Sequence, residues 1–156
     1  MARPILRPIA LVTVVAGTLD ILAAAGLTLY YGREIPNMLR YVASGPFPGA
    51  TEWGAAGAVL GLAVHFALMA VMAAVYVLAA ARRPALRAKP VRWGMLYGLV
   101  TYVVMNLIVV PLRFGTPLPP GTRAIVTQLF CHIVLVGIPI ALIAARHFRN
   151  RSPFAR

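Results

Sequence analysis

Acidic residues are almost missing from this chain: Asp20, Glu34 and Glu52 are the only three among 156. So few carboxylates leave little material for the acid–base chemistry of soluble enzymes. Cysteine is rarer still. Cys131 stands alone inside an apolar run, which excludes an internal disulfide and suits a small packing residue. A catalytic thiol needs a base and an exposed site, and inside an apolar run no such case can be built. A glycine-rich phosphate loop, a paired-cysteine zinc motif and a nucleophile elbow are all absent. The expectation is a protein that is not an enzyme and has no metal site.

Apolar surface and positive charge are present in excess. Sixty-one per cent of the residues are apolar and 12 per cent charged. A single domain of this length cannot hide so much apolar surface in a water-soluble core, so the lipid bilayer must cover it. The net charge of +12 raises nucleic acid as a partner, but that needs a basic groove on a soluble face. Here the fifteen Lys and Arg fall between apolar runs, which is how membrane proteins set their orientation, and nucleic-acid binding is not expected.

Four apolar runs, at 9–31, 55–81, 92–112 and 124–145, approach or exceed the ~20 residues a helix needs to cross the hydrocarbon core. Arg3 and Arg7 before an apolar stretch, with Ala23-Ala24-Ala25 further on, have the outline of a signal peptide. The length of the run and Asp20 within it predict an uncleaved first span instead. The amino terminus, the 82–92 loop and the tail hold eleven positive residues, and the other two loops hold four: Arg33, Arg40, Arg113 and Arg123. Both ends are therefore expected on the cytoplasmic side of an all-α, up-down bundle of four transmembrane helices. Trp93, Tyr30 and Tyr31 suit interfacial anchors.

Between the first two spans, Ile35, Met38, Leu39 and Val42 recur at helical spacing, with Pro36 suited to a first turn and Gly45 to a stop. This predicts a short helix on the outer membrane surface. Gly45-Pro46-Phe47-Pro48-Gly49 should then turn the chain back without regular structure, and Gly115 to Gly121 should do the same later.

Polar residues inside the spans carry the functional question. Gly57, Gly61 and His65 stack at intervals of four, so small residues admit another helix and the imidazole points toward it. Gly94 and Gly98 make a second such stripe, continuing to Tyr102 and Asn106. Counted from the cytoplasmic ends at 1.5 Å per residue, Asp20 lies roughly 17 Å deep, His132 about 20 Å, Asn106 about 21 Å and His65 about 24 Å. All four fall in one layer. A carboxylate facing lipid costs about 2.5–3.5 kcal/mol, so Asp20 should face the bundle. Asp20, His65, Asn106 and His132 are suitable parts for a proton relay or a polar-ligand site. The other reading is that they hold helix register through interhelical hydrogen bonds of about 1 kcal/mol or less.

Three function classes follow. The first is a small transporter or channel component, working as a homo-oligomer because four helices rarely enclose a wide path. The second is a non-catalytic subunit of a membrane complex, with the glycine stripes and the outer helix as contact faces. The third is a haem protein clasped by His65 and His132; otherwise no cofactor is expected. Tyr76, Tyr97 and Tyr102 read as packed with satisfied hydroxyls, Arg113 as snorkelling to the outer surface, and His147 as solvated. Pro111 and Pro139 should interrupt helical bonding, with a kink in the fourth span.

Further motifs run from His65 and Tyr76 through Trp93-Gly94-Met95-Leu96-Tyr97-Gly98-Leu99 to Pro111-Leu112 and Gly115-Thr116-Pro117. A last helix carries His132 and ends in Arg149-Asn150-Arg151. Over its last two-thirds the chain thereby resembles the YagU-like family of bacterial inner-membrane proteins, although Asn106 departs from that pattern. The resemblance implies a bacterial inner-membrane location and a four-helix count, and brings no activity with it.

Overall fold

The computed structural model describes residues 3–149, and among these the chain is helical with no strand. The helices are α1 (Arg3–Tyr30), α2 (Ile35–Ala43), α3 (Gly54–Arg82), α4 (Pro84–Ala88), α5 (Pro90–Phe114) and α6 (Thr122–Arg149). Four of them, α1, α3, α5 and α6, are long and apolar enough to cross a membrane. They outrun the apolar segments at several ends, because helical hydrogen bonding does not stop where hydropathy falls. Their outer faces carry large apolar side chains: Leu22 is 62% exposed, Val59 71%, Val71 62% and Val126 63%. A surface of this kind belongs in lipid, and the protein is a multi-pass membrane protein.

The tightly packed core lies toward the end of the bundle that holds the arginine-rich 82–92 connection, the basic end. Val12 and Ala16 of α1 meet Met69, Ala73, Val77 and Ala80 of α3, and Val136, Ile140, Ala141 and Ala144 of α6. Small side chains dominate, so the backbones approach closely and dispersion contacts are dense. Tyr76 and Tyr97 close this core with rings 5.0 Å apart, edge to face. Both hydroxyls find backbone acceptors: Tyr97 donates to the Met72 carbonyl at 2.7 Å and Tyr76 to that of Leu86 at 3.4 Å.

At the opposite end the short helix forms where its periodicity predicts, but its place corrects the reading of the first glycine stripe. Gly57 and Gly61 do not admit another span; they admit α2 and the loop after it. A Cβ on Gly61 would overlap the Leu39 carbonyl, and one on Gly57 the Ala50 carbonyl. The connection after α2 is also more regular than expected, since Pro48–Glu52 forms a 3₁₀ turn. Arg113 does not simply reach for the surface. Its guanidinium donates to the Gly45 carbonyl at 2.6 Å and the Ser44 carbonyl at 2.7 Å. It thus satisfies carbonyls left open where α2 ends, with its charge at the favourable pole of that helix. Tyr41 stacks on Phe114 beside it, centroids 4.4 Å apart. Arg113→Gln is expected to loosen α2 by about 1 kcal/mol, since these bonds are largely exposed. Faster amide hydrogen exchange across 38–47, with α3 unchanged, is the measurement.

The prolines interrupt the regular helical bonding, as expected: α5 and α6 each contain a π-helical segment, Val103–Val109 and Cys131–Gly137, ending two residues before Pro111 and Pro139. Val110 N–H donates to Met105 and Ile138 N–H to Ile133, both five residues back. Proline lacks the N–H that the carbonyl four residues earlier needs. Moving upstream bonds to five-residue spacing lets the helix continue past it.

Candidate functional site

The four polar residues singled out by depth meet in two pairs. Asp20 of α1 faces His65 of α3, with Oδ2 4.0 Å from Nδ1. Asn106 of α5 meets His132 of α6, with Nδ2 3.0 Å from Nε2. No hydrogen bond or ion pair among the described residues joins one pair to the other.

In the first pair, His65 Nε2 lies 2.9 Å from the Gly17 carbonyl. A carbonyl only accepts, so Nε2 carries a proton. Nδ1, on the Asp20 side, is then the nitrogen free to gain or lose one. Gly17 is a participant that depth and polarity could not reveal; its only sequence signal is a glycine three residues before Asp20 on the same face. Phe66 packs edge-on to the imidazole at 5.2 Å and also lies against Gly17, where a Cβ would come within 2.7 Å of its ring. The missing side chain lets α3 bring His65 to the α1 backbone.

The second pair is a closed relay of hydrogen bonds. Thr101 Oγ1 donates to the Gly98 carbonyl at 2.9 Å, which leaves it to accept from His132 Nδ1 at 3.3 Å. His132 Nε2 in turn accepts from the Asn106 amide. Both ring nitrogens are therefore occupied by a neutral imidazole whose proton sits on Nδ1. Thr101 was missed because threonine in an apolar helix usually bonds its own backbone. Five residues apart on an uninterrupted α-helix, Thr101 and Asn106 would sit roughly 140° apart. The π segment starting at Val103 narrows that angle and lets both reach one ring. Gly98 makes the approach possible, since a Cβ there would meet the His132 carbonyl.

The two imidazoles do not face a shared centre. His65 reaches across to α1 and His132 to α5. His147 is half-buried, with Phe148 edge-on at 5.4 Å, and not solvated as its position in a basic tail suggests.

α1 and α6 pack together through the basic half but part toward the other end, where a cleft of 790 Å³ opens between them and α2. Ala24, Leu27, Thr28 and Tyr31 line it from α1, and Ala124, Thr127 and Gln128 from α6. Those stripes continue at helical spacing to Asp20 on one wall and Cys131 on the other. The Asp20 side chain keeps 24% exposure, against 11% for His65. Arg33 and Arg123 stand at the cleft's mouth.

No family model, curated protein or solved structure matches the chain.

Proposed function

We propose that this membrane protein moves protons or a small polar solute, with Asp20 and His65 as its working pair. One observation carries the reading: the stripes lining the open cleft lead to Asp20, whose carboxyl faces His65 Nδ1, a ring nitrogen with no hydrogen bond among the described residues. A proton entering by the cleft is taken up by Asp20 and passed to His65 Nδ1. The 4.0 Å gap closes by a small side-chain shift or through one water. Beyond this point the core of the basic half is shut, so release requires α1 or α3 to move against α6. That makes an alternating carrier a better description than an open pore.

The eleven positive residues in the sequence of the amino terminus, the 82–92 loop and the tail support a cytoplasmic placement of both termini, with the cleft and α2 on the outer side. The YagU-like resemblance would put the protein in a bacterial inner membrane. Arg33 and Arg123 at the mouth favour solutes that are neutral or anionic over cations. A homo-oligomer suits the small size of the bundle. The alternative, a non-catalytic subunit, counted on the glycine stripes as contact faces. Gly57, Gly61, Gly94 and Gly98 are all engaged inside the chain, which weakens that alternative.

The test is reconstitution into liposomes with a trapped pH-sensitive dye and an imposed gradient. Proton flux above protein-free vesicles is expected; flux equal to empty vesicles ends the proposal. The second pair serves the fold. Thr101→Val is expected to lower stability by about 1–2 kcal/mol, because it strands a buried imidazole N–H, while flux stays within twofold of wild type. A flux loss matching that of an Asp20 variant would move the working site to His132.

A further inference from the structure

Three arginines converge on a separate cavity at the basic end. It holds 520 Å³ between α4 and the last turns of α6, with Arg87 on one wall and Arg146 and Arg149 on the other. Leu142, Ala145 and Phe148 give it an apolar flank. Leu142, Ala145, Arg146 and Arg149 follow one another at helical spacing, so a single face of α6 changes from apolar to cationic as it reaches the cavity. Arg87 is held over the Phe148 ring, its guanidinium carbon 5.2 Å from the centroid.

Nothing in the described chain neutralises these charges. None of the three guanidiniums makes a hydrogen bond or ion pair among the described residues. The side-chain carboxylates are elsewhere: Asp20 in mid-membrane, Glu34 bonded to Asn37 beside α2, and Glu52 in the 3₁₀ turn at the far end. Three like charges beside an apolar wall repel one another unless an anion comes between them. The volume lies within the ~300–1,000 Å³ typical of small-ligand sites.

We propose that this cavity binds the headgroup phosphate of an anionic phospholipid from the adjoining leaflet. The three guanidiniums contact the phosphate, and the acyl chains run along the Leu142 side of α6. Basic pockets at the ends of transmembrane helices suit such headgroups. A zwitterionic lipid fits poorly, because the cavity offers no carboxylate to its ammonium. A free phosphate would satisfy the arginines but would leave the apolar flank uncovered.

Native mass spectrometry of the purified full chain, delipidated and then titrated with lipid, tests this. Retention of phosphatidylglycerol at least tenfold over phosphatidylcholine is expected. Arg87→Gln with Arg146→Gln should abolish that preference, whereas Arg33→Gln with Arg123→Gln at the other end should keep it. Thermal melts in detergent add a second reading: phosphatidylglycerol raises Tm, and inorganic phosphate at the same concentration does not. Equal retention of the two lipids by wild type overturns the proposal, even if the double variant fails to fold. An equal rise in Tm with inorganic phosphate alone overturns the lipid as the occupant. The outcome is independent of proton flux, so this site and the Asp20 site stand or fall separately.

Discussion

Asp20→Asn is expected to bring proton flux in liposomes down to the rate of protein-free vesicles, a loss of at least tenfold. The amide matches the carboxylate in size and still offers an oxygen toward His65, but it cannot take up and release a proton. Packing is preserved and the side chain keeps 24% exposure, so stability should change by less than about 1 kcal/mol. That combination separates a working acid from a structural one. If Asp20 only held α1 against α3, the same substitution would leave flux intact. His65→Gln should show the same flux loss, because the glutamine amide can still donate to the Gly17 carbonyl while Nδ1 is gone. Asp20→Glu retains an ionisable group and should keep part of the activity. Wild-type flux in the Asn variant would remove Asp20 from the mechanism.

Gly98→Ala is expected to have a large effect on folding, about 3 kcal/mol, or a fall in Tm of roughly 10 °C. A Cβ at Gly98 would lie 2.6 Å from the Ile133 Cα and nearer still to the His132 carbonyl oxygen. Both are backbone atoms that cannot swing aside. The contact is reciprocal, since a Cβ on Gly137 would sit 2.6 Å from the Gly98 nitrogen, and a Cβ on Gly94 would lie 2.8 Å from the Gly137 carbonyl oxygen. α5 and α6 must therefore separate, which also draws His132 away from Thr101 and Asn106. Gly26→Ala is the internal control. Nothing lies within 4 Å of a Cβ there, so the same change should be neutral or gain about 0.5–1 kcal/mol. Equal melting temperatures for the two variants would mean that the glycine contact between α5 and α6 is not what holds this pair.

Both predictions turn on neighbours that no linear pattern identifies. Gly57–Gly61 and Gly94–Gly98 have the same spacing, yet one pair receives the nine-residue α2 with the turn after it and the other a long apolar helix. Spacing defines a face and not its occupant. Asp20, His65, Asn106 and His132 were legible as one layer because depth follows from residue count. Their division into one pair 4.0 Å apart and one pair joined by a hydrogen bond was not, since it depends on how Gly17 and Thr101 approach the two imidazoles. Arg113 could be placed near a helix end; that it closes the end of α2 could not be read from an isolated arginine. Pro111 and Pro139 marked where bonding must change; that the change takes the form of π turns could not be read from their positions.

Hydropathy, helical periodicity and the scarcity of acids by themselves determined four spans, a short amphipathic helix and a buried carboxylate. Each of these depends on transfer free energies and backbone geometry that a segment carries wherever it sits. Tertiary structure alone decided that Asp20 faces His65 below an open cleft, that His132 is enclosed by its own hydrogen bonds, and that three arginines share one cavity. Such pairings depend on side chains dozens of residues apart reaching the same few ångströms, and only the packing of one helix on another selects among the partners available there.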